Sequence, residues 1–203
     1  MQIHTILQCI HEFFSFEAES KKAGSKLRRA LYMAVEGGRL DLMYAWNGVA
    51  NDCVKPHPDR FTLTSHKGLR SVAAETYHIA GRNPATVIED CVNDPDFEFF
   101  DPEQRTYLRS MIVIKYEVTF DGIETAMILT LDTDIPSFFT EARKDEMLTF
   151  ILEMLRRLEL EFLNLAYREP LGTESPRISL YKRRVTSKSS DATLQSQSAR
   201  RIL

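Results

Sequence analysis

Apolar residues recur at three- and four-residue intervals near both ends of the chain. The first set is Ile3, Ile6, Leu7, Ile10, Phe13 and Phe14. This spacing gives one apolar stripe and predicts an amphipathic helix over residues 1–24. The second set lies in a predicted helix from about Glu141 to Arg168 and consists of Leu148, Ile151, Leu155, Leu158, Phe162 and Leu165. Its gaps of three and four residues follow a heptad pattern, so we expect these six residues to form a homodimer seam.

The middle of the chain contains β-rich runs separated by turn residues and predicts a sheet. Arg109–Phe120 and Ile123–Asp132 are separated only by Asp121 and Gly122. Asp-Gly favours the two-residue turn of a β-hairpin, because that turn needs positive φ angles. Leu40–Val49 and Arg60–His66 predict an earlier hairpin with a long loop.

Two further helices are predicted before the Asp-Gly hairpin. Ser25 is a candidate N-cap for a helix that carries Leu27, Ala30, Leu31 and Ala34 inward. A shorter helix is expected from Leu69 to Ala80, followed by an extended segment at residues 86–90. The predicted organisation is therefore an N-terminal helix (1–24), one domain (25–169) and a tail (170–203). The tail is rich in serine and basic residues and is expected to be mostly disordered, because it has little apolar surface to bury.

Charge and cysteine content restrict the class of protein. Residues 170–203 carry a charge of +5, which leaves −8 for residues 1–169. An acidic domain argues against nucleic-acid binding there, since binding phosphates requires clustered lysine and arginine. The chain has three widely spaced cysteines, no signal-peptide pattern and no apolar stretch of membrane-spanning length, so we expect a cytoplasmic protein without a membrane span.

Five short motifs follow one another along the chain: Gly68, Val87-Ile88-Glu89-Asp90, Arg109-Ser110, Asp121-Gly122, and Phe139-Thr140 leading to Asp145. They occur in the order found in GAF domains, a family of small-molecule sensors. From Leu27 to Ala166 the chain resembles this family. The resemblance implies an α+β fold with an antiparallel sheet of five or six strands. It also implies terminal helices on one face of the sheet and a ligand-binding pocket on the other.

The candidate ligand-binding residues are aromatic or charged side chains around this implied pocket. They are Tyr44, Trp46, Tyr77, Asp90, Phe97, Phe99 and Arg109. An apolar cavity with a few polar groups is typical of a small-molecule site. Arg109 has two interpretations, since its guanidinium group suits an anionic ligand but also suits a salt bridge to Asp90 or Glu89 that braces the loop.

The leading hypothesis is a regulatory or signalling module that binds an unidentified small molecule, dimerises through its terminal helices and has no catalytic activity of its own. A signalling partner protein is possible, and no cofactor or metal ligand set is predicted. The first alternative is a thiol-dependent reductase of the free methionine sulfoxide type, with Cys91 as the candidate thiol. The second is an interaction module without a ligand, whose pocket is filled by Phe97, Phe99 and Phe100.

Overall fold

The computed structural model describes residues 2–35, 39–46, 72–99, 102–120 and 123–168. The chain separates into two compact units, Met1–Glu161 and Phe162–Leu203. The first unit contains both the N-terminal helix and the sheet that follows it, and the boundary between the units falls within the last helix.

Helices and strands alternate in blocks along the described chain, as expected for an α+β fold. In chain order they are α1 (Gln2–Lys21), β1 (Leu27–Val35), β2 (Arg39–Trp46), α2 (Val72–His78), β3 (Ala85–Ile88), β4 (Ser110–Phe120), β5 (Ile123–Thr133) and α3 (Lys144–Arg168). Short 3-10 helices lie at Pro102–Thr106 and Glu141–Arg143. The α+β class, the antiparallel sheet and the long C-terminal helix are confirmed.

The strands of the described chain form one sheet in the order β2-β1-β5-β4-β3. All of its neighbouring strands are antiparallel. The longest pairing is the hairpin of β4 and β5, in which Ser110 faces Thr133 and Phe120 faces Ile123. The sequence therefore predicted this hairpin correctly. Because β1 pairs with the other edge of β5, β5 lies at the centre of the sheet.

The predicted helix after Ser25 is wrong, because Leu27–Val35 forms strand β1. The spacing of Leu27 and Leu31 fits a helix as well as a strand, since in a strand both residues lie on the same face. Pairing with β5 and β2 on both edges decides between the two, since tertiary contacts override weak local propensity. β2 is the strand predicted within Leu40–Val49, and it pairs with β1. Its expected partner, Arg60–His66, lies outside the described residues, as do Phe100, Gly68, the Asp121-Gly122 turn and the tail.

One face of the sheet packs against α1 and α3, and we call it the terminal-helix face. Leu7, Ile10 and Phe14 of α1 are buried, as are Ile112, Ile114 and Leu129 of the sheet. Polar contacts also connect the layers, since Arg29 donates to Gln8 of α1 at 3.1 Å and the Tyr116 hydroxyl donates to Glu159 of α3 at 2.8 Å. The helices also touch each other, since Phe13 stacks on Phe150 with ring centroids 4.3 Å apart.

The opposite face packs against α2, and we call it the α2 face. Its buried cluster consists of Tyr32, Ala73, Cys91, Leu108, Met111, Val113, Ala126 and Ile128. The Thr76 hydroxyl of α2 donates to the Thr86 hydroxyl of β3 at 2.7 Å, which fixes the helix above the sheet edge. Buried apolar side chains therefore lie on both faces of β5, the central strand.

The predicted dimer seam is largely part of the protomer's own core. Ile151, Leu155 and Leu158 are 0% exposed, so they are unavailable to a second chain while the protomer keeps this fold. Leu148 is half-buried and Phe162 is buried, whereas the side chain of Leu165 lies outside the described residues. The heptad spacing thus marks the face of α3 whose central residues are buried within the protomer.

Strand β4 extends beyond its short neighbour β3, and residues before β3 supply hydrogen bonds to the uncovered part. β3 has four residues and β4 has eleven. The amide of Lys115 donates to the Pro84 carbonyl at 2.9 Å. The amide of Glu117 donates to the side-chain oxygen of Asn83 at 3.3 Å. Asn83 has φ 55°, a left-handed conformation that asparagine tolerates better than most residues.

Candidate functional site

Three of the predicted ligand-binding residues meet on the α2 face. Tyr77, Phe97 and Phe99 are partly buried and pack against the same buried cluster. Phe97 and Phe99 touch edge to face, with ring centroids 4.9 Å apart, an arrangement that aromatic pairs prefer. Lys115 lies 5.3 Å from the centroid of the Tyr77 ring. These contacts bring side chains from α2, β4 and the loop after β3 to one surface.

Asp90 and Arg109 form an ion pair at the edge of this surface. The Arg109 Nη2 atom lies 3.4 Å from each Asp90 carboxylate oxygen. Asp90 also accepts from the Val92 amide at 3.1 Å and from Asn93 at 2.7 Å. Although burial alone would raise the pKa of Asp90, these hydrogen bonds and Arg109 lower it. This geometry matches the loop-bracing interpretation of Arg109 and ties the loop after β3 to the start of β4.

Tyr44 and Trp46 lie on the other side of the sheet's centre, in strand β2. Their backbones pair with Leu31 and Arg29 of β1. Their side chains lie outside the described part of the structure, so their membership of the site stays a prediction.

Cys91 does not have the surroundings of a reactive thiol. Its side chain is 0% exposed, and its amide donates to the Arg109 carbonyl at 2.7 Å. Burial first, and then the charges of Asp132 and Asp90, raises the pKa of the Cys91 thiol to about 12. Nucleophilic attack needs the thiolate, which a buried group of this kind does not supply near neutral pH.

A polar group on the α2 face was missed by the sequence analysis. Arg28 of β1 forms an ion pair with Asp132 of β5 and donates to the Tyr107 carbonyl at 2.6 Å. Its guanidinium carbon lies 4.1 Å from the centroid of the Tyr107 ring. Burial raises the pKa of Asp132, and the charge of Arg28 opposes this shift without cancelling it. The available signal was a charged residue, Arg28 or Asp132, within each of two segments that are otherwise rich in apolar residues. This signal was lost when Leu27–Ala34 was predicted to be a helix.

Within the described ranges, no group of three or more His, Cys, Asp or Glu residues is placed to hold a metal ion. Across the same part of the chain, the helices are all too short or too polar to cross a bilayer.

Comparison with known proteins gives no relative from which a function could be transferred. No protein-family model matches the chain, and neither the curated proteins nor the solved structures compared with it give a match.

Proposed function

We propose that this chain is a regulatory module, without catalytic activity of its own, that binds a small molecule on the α2 face of its sheet. The observation that carries the proposal is the convergence of Tyr77, Phe97 and Phe99 on one buried cluster, next to two ion pairs. An apolar surface with few polar groups is the usual composition of a small-molecule site. GAF-like sensing is the form of this function that the sequence resemblance favours.

The surroundings of Cys91 argue against the thiol-dependent reductase. A reductase of that type needs a thiolate that a substrate can reach, whereas Cys91 is fully buried and its pKa is raised. Cys9 is exposed, but it lies on α1, which packs on the opposite face of the sheet. We therefore do not retain the enzyme hypothesis.

One observation favours an interaction module without a ligand. Phe97 and Phe99 pack directly on the buried cluster, so their rings occupy space that a ligand would otherwise use. In this second proposal the loop after β3 closes the α2 face permanently, and the outer surface of the domain contacts a signalling partner.

Homodimerisation and a cytoplasmic location also stay proposals. The dimer requires a surface other than Ile151, Leu155 and Leu158, because these side chains are buried in the protomer. Exposed apolar residues on the terminal helices are Phe13, Phe16 and Leu160. The cytoplasmic location rests on the cysteine pattern of the sequence.

Native mass spectrometry of the freshly purified full chain distinguishes the two proposals. The ligand-binding proposal predicts a co-purified mass in the wild type. It also predicts this mass in Phe16→Ala, which changes an 82% exposed ring on α1. Phe97→Ala changes the α2 face and is expected to reduce the occupancy. A bare protein mass in all three preparations would instead favour the ligand-free module.

A further inference from the structure

The α2 face is incompletely covered where β1 and β5 run side by side. Ala126 and Ile128 of β5 are buried, but Thr130 and Asp132 on the same face of this strand are only half-buried. Their β1 neighbours, Ala30 and Arg28, are half-buried as well. The four residues lie toward one end of the β1–β5 pair, since Arg28 is the second residue of β1 and Asp132 is the last but one of β5. Among the described elements, helix α2 packs mainly against β3, β4 and β5, so it covers less of the β1 side of this face.

At this opening one oxygen of Asp132 is occupied and the other is available. The Nε and Nη2 atoms of Arg28 both contact Asp132 Oδ1. Arg28 is held in turn by the Tyr107 carbonyl and ring. Asp132 Oδ2 accepts no hydrogen bond from the described residues, and it is not among the side-chain atoms that are sealed from solvent without a partner. The Asp132 carboxylate therefore presents one open acceptor beside a fixed Arg28.

The immediate surroundings of Asp132 favour a ligand that donates a hydrogen bond. The carboxylate is only 20% exposed, and its raised pKa indicates that Arg28 does not fully compensate for lost hydration. An ionised carboxylate can only accept hydrogen bonds. The Tyr107 ring, which is 38% exposed, lies against Arg28, and Phe97 and Phe99 pack on the buried cluster of the same face. A flat aromatic body suits such aromatic side chains.

We infer that Asp132 Oδ2 is the polar anchor of the α2-face site and accepts a hydrogen bond from an N–H group on a planar aromatic ligand. This inference rests on the proposed ligand-binding function, and it assigns the anchor to the Arg28–Asp132 pair in place of Arg109–Asp90. Arg28 acts as a positioning residue, because it holds Oδ1 and so directs Oδ2 toward the opening.

Substituting Asp132 by asparagine reverses the chemistry of the open position. Arg28 has donors and no acceptor, so it binds the amide oxygen of Asn and turns the NH₂ group toward the opening. The anchor changes from an acceptor to a donor while the side chain keeps its size. Asp132→Asn is therefore expected to weaken the binding of ligands that donate an N–H group and to strengthen the binding of ligands that carry an acceptor.

Three probes of nearly equal shape test this inversion. Benzamide and benzamidine carry N–H donors, the first neutral and the second cationic, whereas benzoate carries only acceptors. Their affinities for the full chain are measured by two-dimensional NMR titration. In the wild type both N–H probes are expected to bind at least about tenfold more tightly than benzoate, as for a hydrogen bond to a charged group. Comparing benzamide with benzamidine shows whether the ligand's own charge contributes.

In Asp132→Asn, benzoate is expected to gain affinity and benzamidine to lose it by a similar factor. The matched control is Asp145→Asn, which changes an exposed carboxylate at the start of α3 and should keep the wild-type order. An unchanged order in Asp132→Asn, or wild-type binding of benzoate as tight as that of the N–H probes, overturns the inference. If Asp132→Asn does not fold, the wild-type titration decides. Benzamide must then shift the amide signals of Thr130 and Asp132, and shifts confined to the terminal helices overturn the anchor.

The failure of this inference is distinguishable from failure of the proposed function. A co-purified mass in native mass spectrometry, together with no binding of any probe, overturns the assignment of Asp132 as the anchor. The proposed ligand-binding function is then retained. A bare protein mass together with no probe binding contradicts both.

Discussion

His11 and Arg29 are buried polar residues at the contact between α1 and the sheet. They are 9% and 5% exposed and lie where α1 crosses β1. Burial, reinforced by Arg29, lowers the pKa of His11 to about 4, and Glu12 opposes this shift. Burial likewise lowers the pKa of Arg29 to about 10. His11 is therefore neutral in the folded protein at pH 7, which avoids a second buried charge beside Arg29.

His11 makes folding stability depend on pH between about 6.5 and about 4. In that window the unfolded imidazole binds a proton and the folded one does not, so stability falls as pH is lowered. We expect a loss of about 2 kcal/mol between pH 7 and pH 5 from this residue. Urea unfolding of wild type and His11→Gln at both pH values measures it, because the difference between them cancels the carboxylates common to both. Equal pH dependence in the two proteins would contradict the assignment.

The residues of the candidate site were only partly predictable from the sequence. Phe97 and Phe99 were identified because aromatic residues in a turn-rich segment usually fold back onto a core, and Tyr77 because it lies on the predicted short helix. Arg28 and Asp132 are 104 positions apart, and their contact follows from the β1–β5 register, which no local pattern contains. Because a helix was predicted at Leu27, the alternating side-chain directions of a strand, which place Arg28 on the α2 face, were not considered.

At the scale of elements, α3 is a core helix with one buried and one exposed side. Tyr116 of β4 donates to its Glu159, and Phe150 stacks on Phe13 of α1. Arg143, just before α3, pairs with Glu17 of α1 through two contacts of 2.5 and 3.2 Å. The two helices are therefore joined by both apolar and charged contacts along the terminal-helix face.

Leu155 and Leu160 form a matched pair for testing this role of α3. Leu155 is 0% exposed and Leu160 is 54% exposed on the same helix. Leu155→Ala should lower the free energy of unfolding by about 2–5 kcal/mol, as expected for a large core side chain. Leu160→Ala should change it by less than about 0.5 kcal/mol.

Urea unfolding followed by circular dichroism measures both effects at two protein concentrations. The core assignment requires that the Leu155→Ala effect is independent of concentration. A midpoint that rises with concentration in the wild type, and not in Leu155→Ala, would restore Leu155 to a dimer interface.

The helices and the β4–β5 hairpin were predictable because their signals are local. Apolar residues at three- and four-residue intervals identified α1 and α3, and Asp121-Gly122 identified the hairpin. The same pattern failed to identify the partner of α3, because a heptad stripe has the same spacing whether it meets a second chain or its own sheet.

At the scale of the molecule, β5 is the central strand of the sheet. It is paired along both edges, with Leu129 opposite Leu31 of β1 and Ile114 of β4. Buried side chains lie on both of its faces, including Ile128 and Leu131. Local opening cannot expose its amides without separating two strands and two layers.

Hydrogen exchange should therefore be slowest at the centre of β5 and clearly faster in β3. β3 has four half-buried residues and pairs only with β4 within the described chain. The amides around Leu129 are expected to exchange only through global unfolding, which NMR-detected exchange of the full chain measures. Equal protection of Val87 and Leu129 would show that the sheet opens as a single unit.

The contacts of Asn83 and Pro84 with β4 bear on how the protein behaves at high concentration. An unpaired strand edge is a template for strands of other molecules and so for aggregation. The amides of Lys115 and Glu117, which lie just past the end of β3, already have acceptors in the same chain. An incoming strand would have to displace them. Asn83, in an uncommon backbone conformation, thus helps to prevent strand β4 from pairing with a strand of another molecule.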